Sequence, residues 1–437
     1  MTVMQEIKKA FVERVDENEL MNCMRCGFCL PSCPTYIQSG EQEIHSPRGR
    51  IAMMKAVRDG MIEADEEMRN SLDVCLGCRA CEPVCPAGVQ YGHLLEESRA
   101  ILQEHTAYSA TQKAVRHTVF HELFPKNKQM NRVVNLVGFY QRSGLQKGVR
   151  KVGFLKLFPK GMQEMERVLP PVQKEKKRQY EQKVFEAVGN KTATVAFFAG
   201  CLMDTMFNET NRATIKLLQM AGCEVHIPSD QGCCGALHGH AGEKDQAIEM
   251  AKRNISAFES MEADYIVLNA GGCGAYLAGY DHLLKDRGGW QTRAHYFASR
   301  VRDFSTVLIE KGLEDKVNLV YPSTVVTYQD SCHLRNGMNV FHEPRQLLRQ
   351  VEGVEYREMP DASGCCGSAG IYTIVQPDMS LKIVDDKMEK AITTNPGVIV
   401  TANPGCLLQM KVGIERSGLA GKVEAVHLAD FLLEALS

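Results

Sequence analysis

No stretch of the sequence approaches the ~18 to 20 consecutive apolar residues that a membrane-spanning helix needs, so none is expected. Neither charge is in excess. The 51 Lys and Arg stand against 53 Asp and Glu, a net charge of −2, which excludes whole-chain polyelectrolyte behaviour and with it a general nucleic-acid binder or a long disordered tail. Met1 to Glu6 run straight into charged positions, without a basic stretch followed by an apolar one, so no secretory signal is expected and the chain reads as cytoplasmic. The 437 residues, 44% of them hydrophobic, suffice for two or three domains with a buried core.

Cysteine is abundant: there are 17, too sparse for a small secreted disulfide scaffold and high for an intracellular enzyme. An odd total is also awkward for complete internal pairing, and in a reducing compartment clustered cysteines serve as metal or redox ligands. Eight form two runs, Cys23, Cys26, Cys29, Cys33-Pro34 and Cys75, Cys78, Cys81, Cys85-Pro86. Each is the C-x2-C-x2-C-x3-C-P spacing of bacterial two-cluster ferredoxins, in which the fourth cysteine of one run ligates the other cluster. The spacing therefore predicts one [4Fe–4S] cluster on Cys23, Cys26, Cys29 and Cys85, and another on Cys75, Cys78, Cys81 and Cys33. Tetrahedral zinc would use C-x2-C pairs but would leave the third cysteine and the Cys-Pro of each run without a purpose.

Between the runs, Ser46 as cap and Pro47 at the first helical position predict a helix whose apolar face holds Ile51, Met54 and Val57. Arg48 and Arg50 at its start either face the anionic clusters or are simply solvated. The N-terminal part is thus expected to be an α+β ferredoxin-like domain (1–100) with a helical extension. Residues 101–190 read as a helical connector. Its central part, Val133 to Gly161, mixes apolar and basic residues, a pattern that suits a helix packed on its own protein with lysines outward, or a surface that meets a membrane or a partner. Pro170-Pro171 and the charged residues up to Arg178 read as a solvated linker.

The C-terminal half repeats itself. Ala193–Cys201 matches Thr324–Cys332, Ile227–Gly235 matches Met359–Gly367, and Tyr265–Cys273 matches Val398–Cys406, at separations of 131, 132 and 133 residues. Each copy alternates β-branched strands with helical patterns, which predicts α/β units with parallel sheets at 191–318 and 319–437. The cysteines fall just after the strands, at the edge where open α/β sheets bind ligands. Cys201, Cys233, Cys234 and Cys273 form a possible third metal site, and Cys332, Cys365, Cys366 and Cys406 a possible fourth. Cys223 has no counterpart and reads as a core thiol. Gly271-Gly272-Cys273-Gly274 resembles a fragment of a dinucleotide fingerprint but does not complete it, and no flavin or nicotinamide site is expected. His238, His240 and His333 are candidate ligands or proton carriers, though a histidine beside a cysteine site more often supports it or lies at the surface. The methionines read as core filler.

Cys29–Tyr36, Ser46–Arg50, Leu72–Glu82 and Gly232–His240, set in this order of two ferredoxin runs and two Cys-Cys-Gly repeats, resemble the iron–sulfur subunits of bacterial glycolate oxidase over nearly the whole chain. The broader group includes the corresponding chains of anaerobic glycerol-3-phosphate dehydrogenase and of heterodisulfide reductase, and lactate-utilisation proteins. The resemblance implies an electron-transfer subunit. Its partner would be an FAD-containing 2-hydroxy acid oxidase subunit that converts glycolate to glyoxylate, its acceptor quinone or another carrier, and its association with a membrane peripheral. A lactate or glycerol-3-phosphate dehydrogenase subunit and a heterodisulfide-reductase-like enzyme with a catalytic Cys-Cys-Gly cluster are the alternatives. In the reductase each repeat ends in C-x-x-C and holds a non-cubane cluster; here Tyr276 and Gln409 stand where the fifth cysteine would be. Four thiolates per repeat leave open an ordinary [4Fe–4S] cluster, zinc or no metal.

Overall fold

In the computed structural model, which describes residues 2–436, the two ends of the chain are built on different plans. No strand occurs among the described residues before Val184. The expected α+β ferredoxin-like domain is instead helical, with helices Val3–Arg14, Glu17–Asn22, Pro34–Gln38, Pro47–Asp59, Glu66–Val74 and Tyr91–Glu104 around the two cysteine runs. The spacing of the cysteines governs only the loops that carry them, and here helices rather than strands hold those loops in place. Their common core is apolar at helical spacing, with Phe11, Met54, Leu72 and Ile101 fully buried. The helix between the runs begins as the sequence predicts. Ser46 Oγ accepts from Gly49 N at 2.9 Å, Pro47 occupies the first turn, and Ile51, Met54 and Val57 are buried.

The connector is helical as well: Ala110–His117, a π turn at Thr118–Leu123, then Asn127–Arg142, Leu145–Lys151, Lys160–Val168 and Glu175–Arg178. The stretch read as a solvated linker is anchored at both ends. Val172 is buried in a cluster with Met130 and Val134, and buried Arg178 donates to Asn131 Oδ1 at 2.7 Å and to Asn135 Oδ1.

The first repeat is a five-stranded sheet of β1 (Val184–Phe185), β2 (Ala193–Phe197), β3 (Cys223–His226), β4 (Tyr265–Leu268) and β5 (Val301–Asp303), in the order β1-β3-β2-β4-β5, with only β1 antiparallel. The second holds β6 (Val320–Tyr328), β7 (Glu352–Tyr356), β8 (Val398–Thr401) and β9 (Glu424–His427), in the order β7-β6-β8-β9, all parallel. Apart from β1 the two orders are the same, so the repetition in sequence is one of topology. It extends to a fourth strand, β5 and β9, whose last residue in each copy, Asp303 or His427, caps the next helix by accepting from Ser305 N or Ala429 N.

The copies are not beads on a string. One core joins them, containing Val195, Val267, Val326 and Val400. Helix Asn208–Met220 of the first packs on Leu428–Glu434 of the second, and Phe304–Glu310 of the first on His342–Arg349 of the second. A third crossing, Gly271–Ala278 on Cys332–Met338, explains the glycines that resemble a nucleotide fingerprint. A Cβ on Gly271 would lie 2.5 Å from Ser331 Oγ, and one on Gly274 2.4 Å from Met338 Sδ. The small residues let two helices, each carrying a cysteine, approach closely.

Candidate metal centres

The loops of the two N-terminal runs share an unusual backbone. Arg25 and Gly27 in the first, and Gly77 and Arg79 in the second, all have φ between 54° and 92°. These are corresponding positions, with arginine and glycine exchanged. A left-handed arginine costs on the order of 1 kcal/mol, and both runs accept it. Turns of this kind aim successive peptide N–H groups at one point, the geometry that binds anions and iron–sulfur centres.

Around the first loop, Cys23, Cys26, Cys29 and Cys85 line one cavity, together with Cys81, Arg48, Ile51 and Tyr91. Cys85 thus joins the first run from the second. Cys26 is exposed, Cys23, Cys29 and Cys85 are half-buried, and Met24 and Phe28 beside them are exposed. Arg48 is held at the rim by Glu43 at 2.6 Å and donates to Arg25 O at 3.1 Å.

Cys33, Cys75, Cys78 and Cys81 are all buried. Cys33 Sγ lies 3.3 Å from Thr35 Oγ1; Cys75 Sγ accepts from Gly77 N at 3.4 Å and Tyr91 OH at 3.6 Å. Burial pushes the Cys33 thiol up, opposed by the nearby Arg50 guanidinium; Cys75 is drawn down against its burial by Arg50 and Arg99. Arg50 is fully buried. Its Nε donates to Ser71 O at 2.9 Å and both terminal nitrogens to Thr35 Oγ1 at 3.2 Å, and among the described residues it forms no ion pair with a carboxylate. A buried charge without a counter-ion costs several kcal/mol. An anionic group held by Cys33 and Cys75 would supply that counter-charge, so the residues present fit a cluster here.

In the first repeat the thiols follow one another in series. Cys201 Sγ lies 3.6 Å from Cys233 Sγ, Cys233 interacts with Cys234, and Cys234 with Cys273. The second repeat has the same series: Cys332 with Cys365, Cys365 with Cys366, and Cys366 with Cys406. Peptide and amide donors point at the sulfurs, with Gly367 N 3.4 Å from Cys365 Sγ and Asn403 Nδ2 3.6 Å from Cys406 Sγ. Among the described residues no group of three or more His, Cys, Asp or Glu side chains converges at metal-bond geometry. Each four come from the carboxyl ends of three neighbouring strands, and contacts with neighbouring thiols, joined by burial, raise Cys201, Cys234, Cys332 and Cys366 well above the usual thiol range.

Neither fifth position carries a cysteine: Tyr276 is half-buried with its hydroxyl enclosed and unpartnered, and Gln409 Nε2 donates to Ser380 Oγ at 3.0 Å. His238 Nε2 meets Phe120 O at 2.7 Å, so it ties the connector to the first repeat. His240 Nδ1 lies 2.8 Å from Glu96 Oε1 and its ring 5.3 Å from that of His333. His333 Nδ1 lies 3.4 Å from Cys332 Sγ, and burial pushes its pKa down to about 3. Of the three histidines only His333 touches a candidate ligand. Cys223 is fully buried in the shared core, where burial pushes it up to about 11.

Sequence reasoning missed three participants. Tyr91 and Arg99 reach the second run; Arg99 Nη2 donates to both Leu72 O and Cys75 O at 2.6 Å. The third is a junction: Cys78 packs in one buried cluster with Cys332 and Cys365. Asn336 Nδ2 bonds Cys78 O at 3.0 Å and Tyr372 OH bonds Val74 O at 2.8 Å across the same seam. No spacing in the chain signals contacts between residues more than 250 positions apart.

Comparison with known proteins follows these divisions. Residues 19–89 match the family described as a 4Fe-4S dicluster domain, 111–169 the linker region of the glycolate oxidase iron-sulfur subunit, and 195–278 and 326–411 the cysteine-rich domain. The chain is 58% identical over 432 residues to a Bacillus subtilis (strain 168) protein named "Probable glycolate oxidase iron-sulfur subunit", covering 99% of this chain and 97% of that one. It is 29% identical over 420 residues to the "Glycolate oxidase iron-sulfur subunit" of Escherichia coli (strain K12), covering 95% and 94%. "Lactate utilization protein A" of an Exiguobacterium species is 31% identical over 242 residues, 55% of this chain and 98% of that protein.

Proposed function

The chain belongs to the family of glycolate oxidase iron–sulfur subunits, and on that premise we propose how its residues divide the work of an electron-transfer subunit. It is part of an oxidoreductase and carries iron–sulfur clusters. Cys23, Cys26, Cys29 and Cys85 hold one [4Fe–4S] cluster and Cys33, Cys75, Cys78 and Cys81 the other, within a unit spanning 1–100. The observation that carries this reading is the interleaving of the runs: Cys85 lines the cavity of the first, and Cys33 shares the buried guanidinium of Arg50 with Cys75. Residues 101–190 connect that unit to the repeats at 191–318 and 319–437, whose two thiol quartets hold one further centre each.

Oxidation of a 2-hydroxy acid such as glycolate releases two electrons together, and a flavin on the partner subunit accepts them. Bound clusters exchange electrons singly, which suits them to divide that pair for the next acceptor, quinone. The polypeptide sets the conditions. Gly77 N, Tyr91 OH and Thr35 Oγ1 bond the cysteine sulfurs, and such bonds tune potential. Arg50 offsets negative charge, and Leu76, Tyr372 and Ile383 keep water from the seam between the second run and the second repeat. Glycolate is favoured over lactate because the lactate-utilisation relative aligns with only 55% of the chain, whereas the glycolate oxidase relatives span it.

Anaerobic co-purification with the flavoprotein, followed by iron, sulfide and zinc analysis, tests the assignment. More iron than two four-iron clusters contain, with matching sulfide and no zinc, is the expected result. Iron for two clusters only, with zinc, would confine electron transfer to the N-terminal unit.

A further inference from the structure

The connector breaks the charge balance of the rest of the chain. From Leu123 to Gln163 there is no Asp or Glu but nine Lys or Arg, in a protein whose acids slightly outnumber its bases. Five of the nine, Lys128, Lys147, Lys151, Lys156 and Lys160, are exposed and form no ion pair among the described residues. Five large apolar residues between them are left exposed rather than packed on the protein. Leu136 and Phe139 are 68% and 60% exposed, Leu145 52%, and Val152 and Leu157 78% each.

The arrangement is directional. On helix Asn127–Arg142, residues 128, 132, 136 and 139 lie along one stripe at helical spacing, while buried Met130, Val134 and Gly138 occupy the opposite side. The inner side is fixed to the protein, with Gln141 Nε2 donating to Pro170 O and Arg142 Nη1 to Val172 O. On this helix what faces outward is therefore a firmly mounted stripe of basic and large apolar side chains, and the segment that follows it adds exposed Leu145, Val152 and Leu157 beside Lys147, Lys151 and Lys156. Protein interfaces select against lysine at their centres, whereas lysines ringing exposed leucine and phenylalanine suit a layer of anionic headgroups over acyl chains.

We propose that the connector, residues 127–162, seats the subunit on the surface of an anionic lipid bilayer, with Leu136, Phe139 and Leu157 entering the headgroup region and the unpaired lysines meeting lipid phosphates. The inference deepens the electron-transfer reading, since it would bring the chain to an acceptor dissolved in the membrane, but the binding itself does not depend on turnover.

Co-sedimentation of the anaerobically isolated complex, without substrate, with vesicles of phosphatidylglycerol and phosphatidylcholine, and with phosphatidylcholine alone, tests it. Binding to the anionic vesicles that weakens as salt is raised is expected. The triple variant Lys147→Glu, Lys151→Glu, Lys156→Glu should weaken it on the order of a hundredfold or more, and Leu136→Ser with Leu157→Ser should weaken it at every salt concentration. Unchanged cluster absorbance and unchanged flavoprotein co-purification would show that both variants fold. Equal binding to neutral vesicles, no binding by the unaltered complex, or variants that lose the flavoprotein while keeping the vesicles would each overturn the proposal, the last by making this surface the subunit interface. Failure of vesicle binding leaves the iron count and electron transfer untouched, so the two readings fall separately.

Discussion

The thiol of Cys78, from the second N-terminal run, packs against that of Cys365, from the Cys-Cys-Gly of the second repeat, and this contact together with burial pushes Cys78 well above the usual thiol range. No thiol of the first repeat shares that cluster. The repeats therefore differ in their relation to the N-terminal unit: the second meets it through cysteines, the first through polar pairs such as Arg99 Nη1 to His240 O at 3.0 Å and His240 to Glu96.

A spectroscopic asymmetry follows. Cys365→Ser should alter the linewidth or relaxation of the paramagnetic signal that Cys75→Ser removes, while Cys233→Ser leaves that signal as it was. Low-temperature electron paramagnetic resonance of the reduced protein reads the difference.

Cys26 is the exposed thiol of its run and, in the proposed set, ligates the outer cluster. Cys26→Ser should convert or remove that cluster and abolish reduction of the acceptor, while glycolate still bleaches the partner's flavin. Stopped-flow absorbance separates the two steps.

Among the described residues Arg50 has no carboxylate partner, and its charge lies near Cys75 and Cys33. Arg50→Gln should lower the potential of the cluster those cysteines hold by on the order of 50–100 mV, as expected for removing one charge at close range in a medium of intermediate dielectric. Arg50→Lys, which keeps the charge, should shift it less. Redox titration of both variants checks the order.

Asp303 and His427, which end the last strand of each repeat, should give stability opposite slopes with pH. Burial, opposed by bonds from Ser305, raises the Asp303 pKa from 3.8 to about 7. The folded state thus binds more protons than the unfolded, and the stability that Asp303 contributes is full below about pH 4 and lost as pH rises towards 7. Burial lowers His427 from 6.5 to about 4, so its contribution is present above 6.5 and lost as pH falls towards 4. Asp303→Asn keeps a carbonyl oxygen for the Ser305 N–H and should remove the first slope, a gain of a few kcal/mol at pH 8 relative to pH 4. Chemical denaturation of the anaerobic protein at several pH values measures it.

How much of this was legible beforehand depends on the range of the interactions. The two runs, the three repeated blocks and the parallel sheets were readable because each is a short local pattern recurring at a fixed interval. The helix after Ser46 was readable from its cap and its apolar face. The α+β expectation for the N-terminal unit failed because the cysteine spacing is compatible with more than one scaffold, and the intervening helix Pro47–Asp59 belongs to a helical one. Strand β5 is only Val301–Asp303, too short to show a periodicity. The meeting of Cys78 with Cys365, and the choice of Arg50 over Arg48 as the buried charge, depend on packing between distant parts of the chain.

In the proposed division of labour this chain takes electrons from a partner that handles glycolate and does not oxidise glycolate itself. The most direct measurement is anaerobic addition of glycolate to the chain alone and to the chain with its flavoprotein, followed by low-temperature paramagnetic resonance. Reduced-cluster signals in the complex and none in the isolated chain are the predicted result; signals in the isolated chain, or none in a complex whose flavin has been reduced, would contradict the account.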